Sequence, residues 1–122
     1  MHCEQIPLAR LARTYGTPLY VYSSVSIKER YRAFAGAFAG VPHTVCYSVK
    51  ANSNLRLLSL LAKLGCGFDV VSGGELSRIL RVNRRAAARI VFSGVGKTTE
   101  EIHAALAARV VTSLLAPANY RL

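Results

Sequence analysis

Apolar and polar positions along the chain follow two periods, and each period predicts a different element. Segments rich in Val, Ile, Tyr and Phe with period two predict strands, whereas apolar residues three and four apart predict helices. The predicted strands are "TPLYVY" (17–22), "HTVCYSVK" (43–50), "GFDVVS" (67–72), "RIVFSG" (89–94) and "VVTSLL" (110–115). The predicted helices are "SSVSIKERYRAFAGAF" (23–38), "NLRLLSLLAKLG" (54–65), "SGGELSRIL" (72–80) and "TTEEIHAALAA" (98–108).

Strands and helices therefore alternate with short connections. This order is typical of an α/β protein in which helices cross over between neighbouring strands of a parallel sheet. The helix boundaries carry their own signals. Ser72 and Glu75 have the S-x-x-E spacing of a capping box, and Gly65 is placed to end the helix before it.

Lys50 stands at the end of an apolar, β-branched strand, in the segment "VCYSVKANSN". Because strand side chains alternate, Lys50 should share a face with the small side chains of Cys46 and Ser48. Ligands of parallel α/β proteins gather at the carboxyl ends of the strands. The pattern alone leaves two interpretations open: a functional amine at the sheet mouth, or a lysine that extends to water.

Two further strand ends carry polar side chains, namely Asp69 and Ser72 after one strand and Ser93 after another. Asp69 has a structural alternative as a hydrogen-bonded strand residue, and Ser72 with Glu75 as a helix cap. The loop "SGVGKT" matches only the second half of the nucleotide-binding P-loop. Val91 occupies the position where that motif needs its first glycine, so a nucleoside-triphosphate site is disfavoured.

Composition and charge limit the class of protein. The chain has 122 residues, of which 52% are hydrophobic and 18% charged, so it has the material for a buried core. The net charge of +10 suits an anionic partner, and the segment "RILRVNRRAAARI" concentrates arginines. No aromatic residue is interleaved among those arginines, so the stacking half of a nucleic-acid-binding signature is missing. We expect no nucleic-acid partner.

Cysteine usage and hydropathy predict a cytoplasmic protein without a metal site. The three cysteines are far apart and show no C-x-x-C pair or histidine at ligand spacing, so reduced thiols are expected. The amino-terminal segment lacks the apolar core of a signal peptide. No apolar segment approaches the ~18 residues that a membrane span requires, so we expect no membrane partner.

Three blocks of sequence together resemble the amino-terminal part of the diaminopimelate decarboxylase family. They are "YGTPLYVYS", "CYSVKANSNLRLLSLLAKLGCGFDVVSGGEL" and "IVFSGVGKTTEEI", in the order and spacing that the family uses. The resemblance runs from about Leu8 to about Ala108. It implies a pyridoxal-phosphate enzyme with the alanine racemase-like (β/α)8 barrel, of which this chain would contain about the first three to four βα units.

The resemblance also implies roles for individual residues. In this family the lysine of the block matching "YSVKAN" bonds covalently to pyridoxal 5'-phosphate, which maps onto Lys50. An acidic residue near the cofactor maps onto Asp69, while Glu75 stays ambiguous. The implied reaction is decarboxylation of meso-2,6-diaminopimelate to L-lysine, a step of lysine biosynthesis, by a homodimer. Alternatives are another pyridoxal-phosphate decarboxylase or a racemase on the same barrel, or a non-catalytic interaction protein.

The chain is short for a complete enzyme of this type. A full barrel takes about 250 residues, and family members add a β domain after it. From Arg109 onward the sequence departs from the family pattern by inspection. By resemblance, the phosphate cradle, the acidic partner of the pyridine nitrogen, a histidine over the ring and a cysteine from the neighbouring subunit are missing. We therefore expect residues 1–122 to be the amino-terminal part of a pyridoxal-phosphate-binding barrel domain, inactive by itself.

Overall fold

A computed structural model describes residues 1 to 112 of the chain. It divides into two compact units, one of residues 1–40 and one from residue 41 onward. Each unit is considered by itself below.

The first unit contains a small hairpin and two helices. Strands β1 (His2–Cys3) and β2 (Ile6–Pro7) pair antiparallel, followed by α1 (Leu8–Tyr15) and α2 (Ser24–Gly36). Glu4 in the hairpin turn fixes the start of α2, because its carboxylate accepts hydrogen bonds from Ser23 Oγ at 2.9 Å, Ser24 Oγ at 3.2 Å and Val25 N at 2.9 Å. The predicted helix over 23–38 is thereby confirmed, two residues shorter at its carboxyl end.

The predicted strand over 17–22 is wrong for the described residues. The segment is non-helical, but it pairs with no other strand in residues 1–112. Its side chains are exposed, with Tyr20 at 87% and Tyr22 at 59%. Strand propensity mainly reflects how well a side chain packs against a neighbouring strand, so an apolar alternation cannot form a strand where no neighbour is present.

The second unit is the alternating βα arrangement that the sequence predicts. Its elements are β3 (Cys46–Ser48), α3 (Leu55–Lys63), β4 (Gly67–Val70), α4 (Gly73–Val82), β5 (Ile90–Phe92), α5 (Thr99–Ala107) and β6 (Val111–Thr112). The four strands form one parallel sheet in the order β3-β4-β5-β6. Four consecutive parallel strands with helical connections are the arrangement of a partial (β/α)8 barrel. Of the predicted last strand, 110–115, residues Val111 and Thr112 form β6; residues from Ser113 lie outside the described part.

The core lies between one face of this sheet and the three helices. The strand side chains that alternate onto this face are almost completely buried, as are leucines and an isoleucine of α3 and α4. These side chains are Phe68, Val70, Ile90, Phe92, Leu58, Leu61, Leu76 and Ile79. Burial of each such side chain contributes roughly 1.5–3 kcal/mol. Because the helices cover this face, the opposite face of the sheet carries the remaining strand residues.

Short polar side chains start the helices of the second unit. Asn54 Oδ1 accepts from Arg56 N at 2.9 Å, and Ser72 Oγ accepts from Glu75 N at 3.3 Å. The predicted capping box at Ser72 is only half formed, since the Glu75 carboxylate accepts from Val71 N instead. A complete capping box instead starts α5, between Thr98 and Glu101.

Candidate functional site

The strand residues that point away from the helices form a half-buried face. By the parallel register, Ser48 lies opposite Asp69, and Asp69 lies opposite Val91 on the next strand. Ser93 follows Val91 by two positions and points the same way. The face therefore brings polar side chains of three consecutive strands to one level at their carboxyl ends.

Asp69 connects these three strand ends. Its Oδ2 accepts a hydrogen bond from Ser48 Oγ at 3.3 Å, and its Oδ1 accepts a short hydrogen bond from Ser93 Oγ. The backbone reinforces the second contact, because Ser93 N donates to Val70 O at 3.0 Å. Each carboxylate oxygen thus has a serine donor, which fixes the orientation of the negative charge.

Lys50 lies two residues beyond Ser48, at the same end of the sheet. It is in a turn of 3₁₀-helix, Val49–Ala51, that follows β3 directly, and its side chain is exposed. The predicted strand over 43–50 is therefore too long, because β3 ends at Ser48, and Lys50 does not share a strand face with Cys46 and Ser48. The turn is held from both sides: Val49 is completely buried, and Tyr47 Oη donates to Asn52 O at 3.2 Å. Lys50 therefore presents an accessible amine from a fixed piece of backbone.

The structure brings some sequence-predicted site residues together and separates others. Asp69 and Ser93 are in direct contact, at the sheet end where Lys50 lies. Ser72 and Glu75 serve the start of α4 instead. Ser48 was not singled out from the sequence as a partner of Asp69. The strand register could have identified Ser48 as this partner, since parallel pairing of the two strand ends places Ser48 opposite Asp69.

The electrostatic environment of this face is set by burial and by Asp69. The pKa of Cys46 is raised, first by burial and then by the negative charge of Asp69. Its thiol is therefore kept neutral at physiological pH and is a poor nucleophile. On the other face of the sheet, burial raises the pKa of Cys66 to about 11.

The loop after β5 places a second lysine near the same sheet end. Lys97 Nζ donates a short hydrogen bond to Gly94 O and lies 5.3 Å from the centroid of the Phe92 ring. Gly94 itself approaches the preceding loop closely, since a Cβ atom there would lie 2.3 Å from Val71 O. The loops after β4 and β5 are therefore packed backbone against backbone.

Comparison with known proteins identifies the family. Residues 24–116 match the family model described as "Pyridoxal-dependent decarboxylase, pyridoxal binding domain". The chain belongs to this family. The match contains the complete second unit as far as it is described, including Lys50, Asp69 and Ser93. It extends to residue 116, so the predicted departure from the family pattern at Arg109 is wrong for residues 109–116.

Individual relatives agree with the family. The chain is 54% identical over 106 residues to the diaminopimelate decarboxylase of Pseudomonas fluorescens, covering 87% of this chain and 25% of that protein. The structure resembles diaminopimelate decarboxylase from Helicobacter pylori complexed with L-lysine (43% identity, TM-score 0.80, 86% of this chain and 26% of that one). It also resembles the enzyme from M. jannaschii in co-complex with L-lysine (44% identity, TM-score 0.79, 86% and 25%). The chain spans about a quarter of the length of these relatives.

The part of the chain that the structure describes contains neither a metal-binding cluster nor a membrane-spanning helix. Within residues 1–112, no cluster of three or more His, Cys, Asp or Glu side chains is arranged to hold a metal ion. No helix in that part of the chain is long and apolar enough to cross a membrane.

Proposed function

We propose that residues 1–122 are the amino-terminal part of a pyridoxal-phosphate-binding barrel domain, and that Lys50 is the residue that bonds covalently to the cofactor. The observation that carries this proposal is the position of Lys50 two residues beyond Ser48, at the sheet end where the Ser48–Asp69–Ser93 hydrogen bonds join three parallel strands. This is the sheet end at which barrel enzymes bind their ligands. The pyridoxal-dependent decarboxylase match covers the same residues.

The residues present fit the cofactor. Lys50 offers an exposed primary amine, the group with which an aldehyde condenses, on a turn anchored by Val49. When bound, pyridoxal phosphate supplies a conjugated ring that accepts the electron pair left by loss of carbon dioxide. Residues 1–112 show no comparable fit for the cofactor phosphate, whose partners we assign to the part of the relatives that this chain does not span.

Asp69 would act by charge and position. Its carboxylate is held by two serine hydroxyls and lies on the face of the sheet that the helices leave uncovered. A fixed negative charge at the sheet mouth favours a cation beside it, such as an amino group of the substrate. Asp69 would thereby orient positive charge at this end of the sheet.

The substrate proposal rests on the relatives. The protein from Pseudomonas fluorescens is a diaminopimelate decarboxylase, and two solved relatives were complexed with L-lysine. We propose that the complete protein converts meso-2,6-diaminopimelate to L-lysine and carbon dioxide, as a homodimer in the cytoplasm. A lysine decarboxylase from Selenomonas ruminantium resembles the chain at only 26% identity. The higher identities favour diaminopimelate over this alternative, over a racemase and over a non-catalytic role.

A chimeric enzyme tests the proposal. Residues 1–116 of this chain would replace the matching segment of the Pseudomonas fluorescens relative. That relative would supply the remaining three quarters of the enzyme. After addition of pyridoxal phosphate and reduction with borohydride, peptide mapping should find the pyridoxyl mass on the peptide that contains "CYSVKANSNLR". Lys50→Ala should abolish both this mass and lysine release, while Lys63→Ala should retain them. Labelling of Lys63 or Lys97 in place of Lys50 would refute the assignment.

A further inference from the structure

Glu101 lies in the first turn of α5, but its carboxylate contacts two helices. Its Oε2 accepts from Thr98 N at 3.0 Å, which closes the capping box of α5. Its Oε1 accepts from Gly73 N, the first residue of α4, at 2.5 Å. A single carboxylate thus satisfies free amides at the starts of two consecutive helices, where negative charge is favoured.

The lack of a side chain at Gly73 leaves room for the Glu101 carboxylate. A Cβ atom at that position would lie 3.0 Å from both Cγ and Oε1 of Glu101. An alanine here would therefore make the Glu101 side chain shift by a few tenths of an ångström. The glycine and the glutamate fit each other across the gap between the loops that follow β4 and β5.

These two loops follow the strand ends that bring Asp69 and Ser93 together. The loop after β4 begins beyond Asp69, and the loop after β5 contains Ser93 and Gly94. Gly94 packs against Val71 with no room for a Cβ atom. The Ser93–Asp69 hydrogen bond joins the strand ends where these loops begin, and the Glu101–Gly73 contact joins the same loops at their other ends, at the starts of α4 and α5.

We propose that Glu101 is a positioning residue, which ties the start of α4 to the start of α5 and thereby keeps Asp69 and Ser93 in contact beside Lys50. The part of this statement that concerns Lys50 rests on the proposed function. The part that concerns the link between the two loops does not, so the two can fail separately.

The link between the starts of α4 and α5 can be observed by pH titration, because both amides bond the ionisable carboxylate of Glu101. Hydrogen bonds from Gly73 N and then from Thr98 N lower the pKa of Glu101 below its usual value, opposed by partial burial and by Glu100, and assisted by Lys97. If one carboxylate bonds both amides, the amide proton shifts of Gly73 and Thr98 must follow the same titration. In the 122-residue chain, NMR should therefore give one shared midpoint below pH 4.5 for the two amides.

Matched variants separate this link from ordinary charge effects. Glu101→Gln removes the charge, and its amide group has only one oxygen for the two N–H donors. We expect amide hydrogen exchange at Gly73 or Thr98 to become faster by about tenfold, as for loss of one charge-assisted hydrogen bond. Glu100→Gln removes the same charge from the same helical turn; Glu100 bonds the Thr98 side chain but does not contact Gly73, so this variant should leave the Gly73 amide protected. Gly73→Ala retains Glu101 but should weaken its hydrogen bond to the amide at position 73, so the shared midpoint should move closer to pH 4.5.

The chimeric enzyme tests the consequence for the site. Glu101→Gln should slow reductive labelling of Lys50 several-fold relative to Glu100→Gln and the unchanged chimera. Different midpoints for the two amides, or unchanged titrations in Gly73→Ala, would overturn the link. A shared titration together with unchanged labelling in Glu101→Gln would overturn the positioning role. If Lys50 is not labelled even in the unchanged chimera, the proposed function fails, while the amide measurements still decide whether Glu101 links the loops.

Discussion

At the scale of single residues, close contacts determine which glycines can be replaced. Gly94 and Gly96 are two residues apart in the same loop, and sequence gives no reason to treat them differently. A Cβ atom at position 94 would lie 2.3 Å from Val71 O, whereas one at position 96 would meet nothing within 4 Å. Of these two glycines, Gly94 is therefore the one that close packing requires to be glycine.

Gly94→Ala should lower the free energy of unfolding by about 1–3 kcal/mol, because backbone must move to admit the methyl group. Gly96→Ala is the matched control and should change stability by less than about 1 kcal/mol. Urea unfolding followed by circular dichroism measures both. Equal losses in the two variants would show that the close approach to Val71 does not constrain the loop.

Cys66 should make stability depend on alkaline pH. Its pKa is raised by burial from the usual 9.0 to about 11 in the folded chain. The unfolded chain therefore loses the thiol proton first, and the free energy of unfolding should fall as pH rises from about 9 through about 11. Urea midpoints at pH 8, 9, 10 and 11 should show a smaller fall in Cys66→Ala than in the unchanged chain. Parallel pH curves for the two would contradict this prediction.

At the scale of elements, the helix starts follow local side-chain chemistry. Asn54, Ser72 and Thr98 each accept a hydrogen bond from a backbone amide in the first turn of their helix. Such contacts were readable in advance, because Asn, Ser and Thr are the preferred residues at this position. The sequence could not show which glutamate completes a capping box, since Glu75 and Glu101 both occur three residues after a cap.

Asn54→Ala should destabilise the chain by about 1 kcal/mol through loss of the cap of α3. Asn54→Asp is the control, because a carboxylate oxygen can accept the same hydrogen bond from Arg56 N and also favours a helix start. Thermal unfolding should rank Asn54→Ala clearly below both the unchanged chain and Asn54→Asp. A loss in Asn54→Asp as large as that in Asn54→Ala would exclude capping as the cause.

At the scale of the whole molecule, four parallel strands make half of an eight-stranded barrel. The sheet is β3-β4-β5-β6 in the described residues, and the chain spans about a quarter of the length of its relatives. Its uncovered face carries Asp69 and the two serines, which a closed barrel would enclose. The geometry of the strand ends is therefore already present in this part, whereas enclosure of the site depends on further strands.

A polypeptide of these 122 residues alone should release no lysine from diaminopimelate above the rate with free pyridoxal phosphate. Without further contacts to the cofactor, Lys50 would react like any accessible amine. Lysine formation can be followed by chromatography, with Lys50→Ala as the control. Turnover above the free-cofactor rate that is lost in Lys50→Ala would show that the amino-terminal part is sufficient for the reaction.

The sequence by itself determined the fold class, the family and the end of the sheet at which Lys50, Asp69 and Ser93 lie. It could do so because side-chain period, caps and the "YSVKAN" block are local properties of consecutive residues. Tertiary structure alone decided which distant residues touch: that Ser48 shares Asp69 with Ser93, that Glu101 reaches across to Gly73, and that the apolar segment 17–22 pairs with no strand in residues 1–112. These contacts depend on strand register and on the spacing of neighbouring loops, which residues more than twenty positions apart set together.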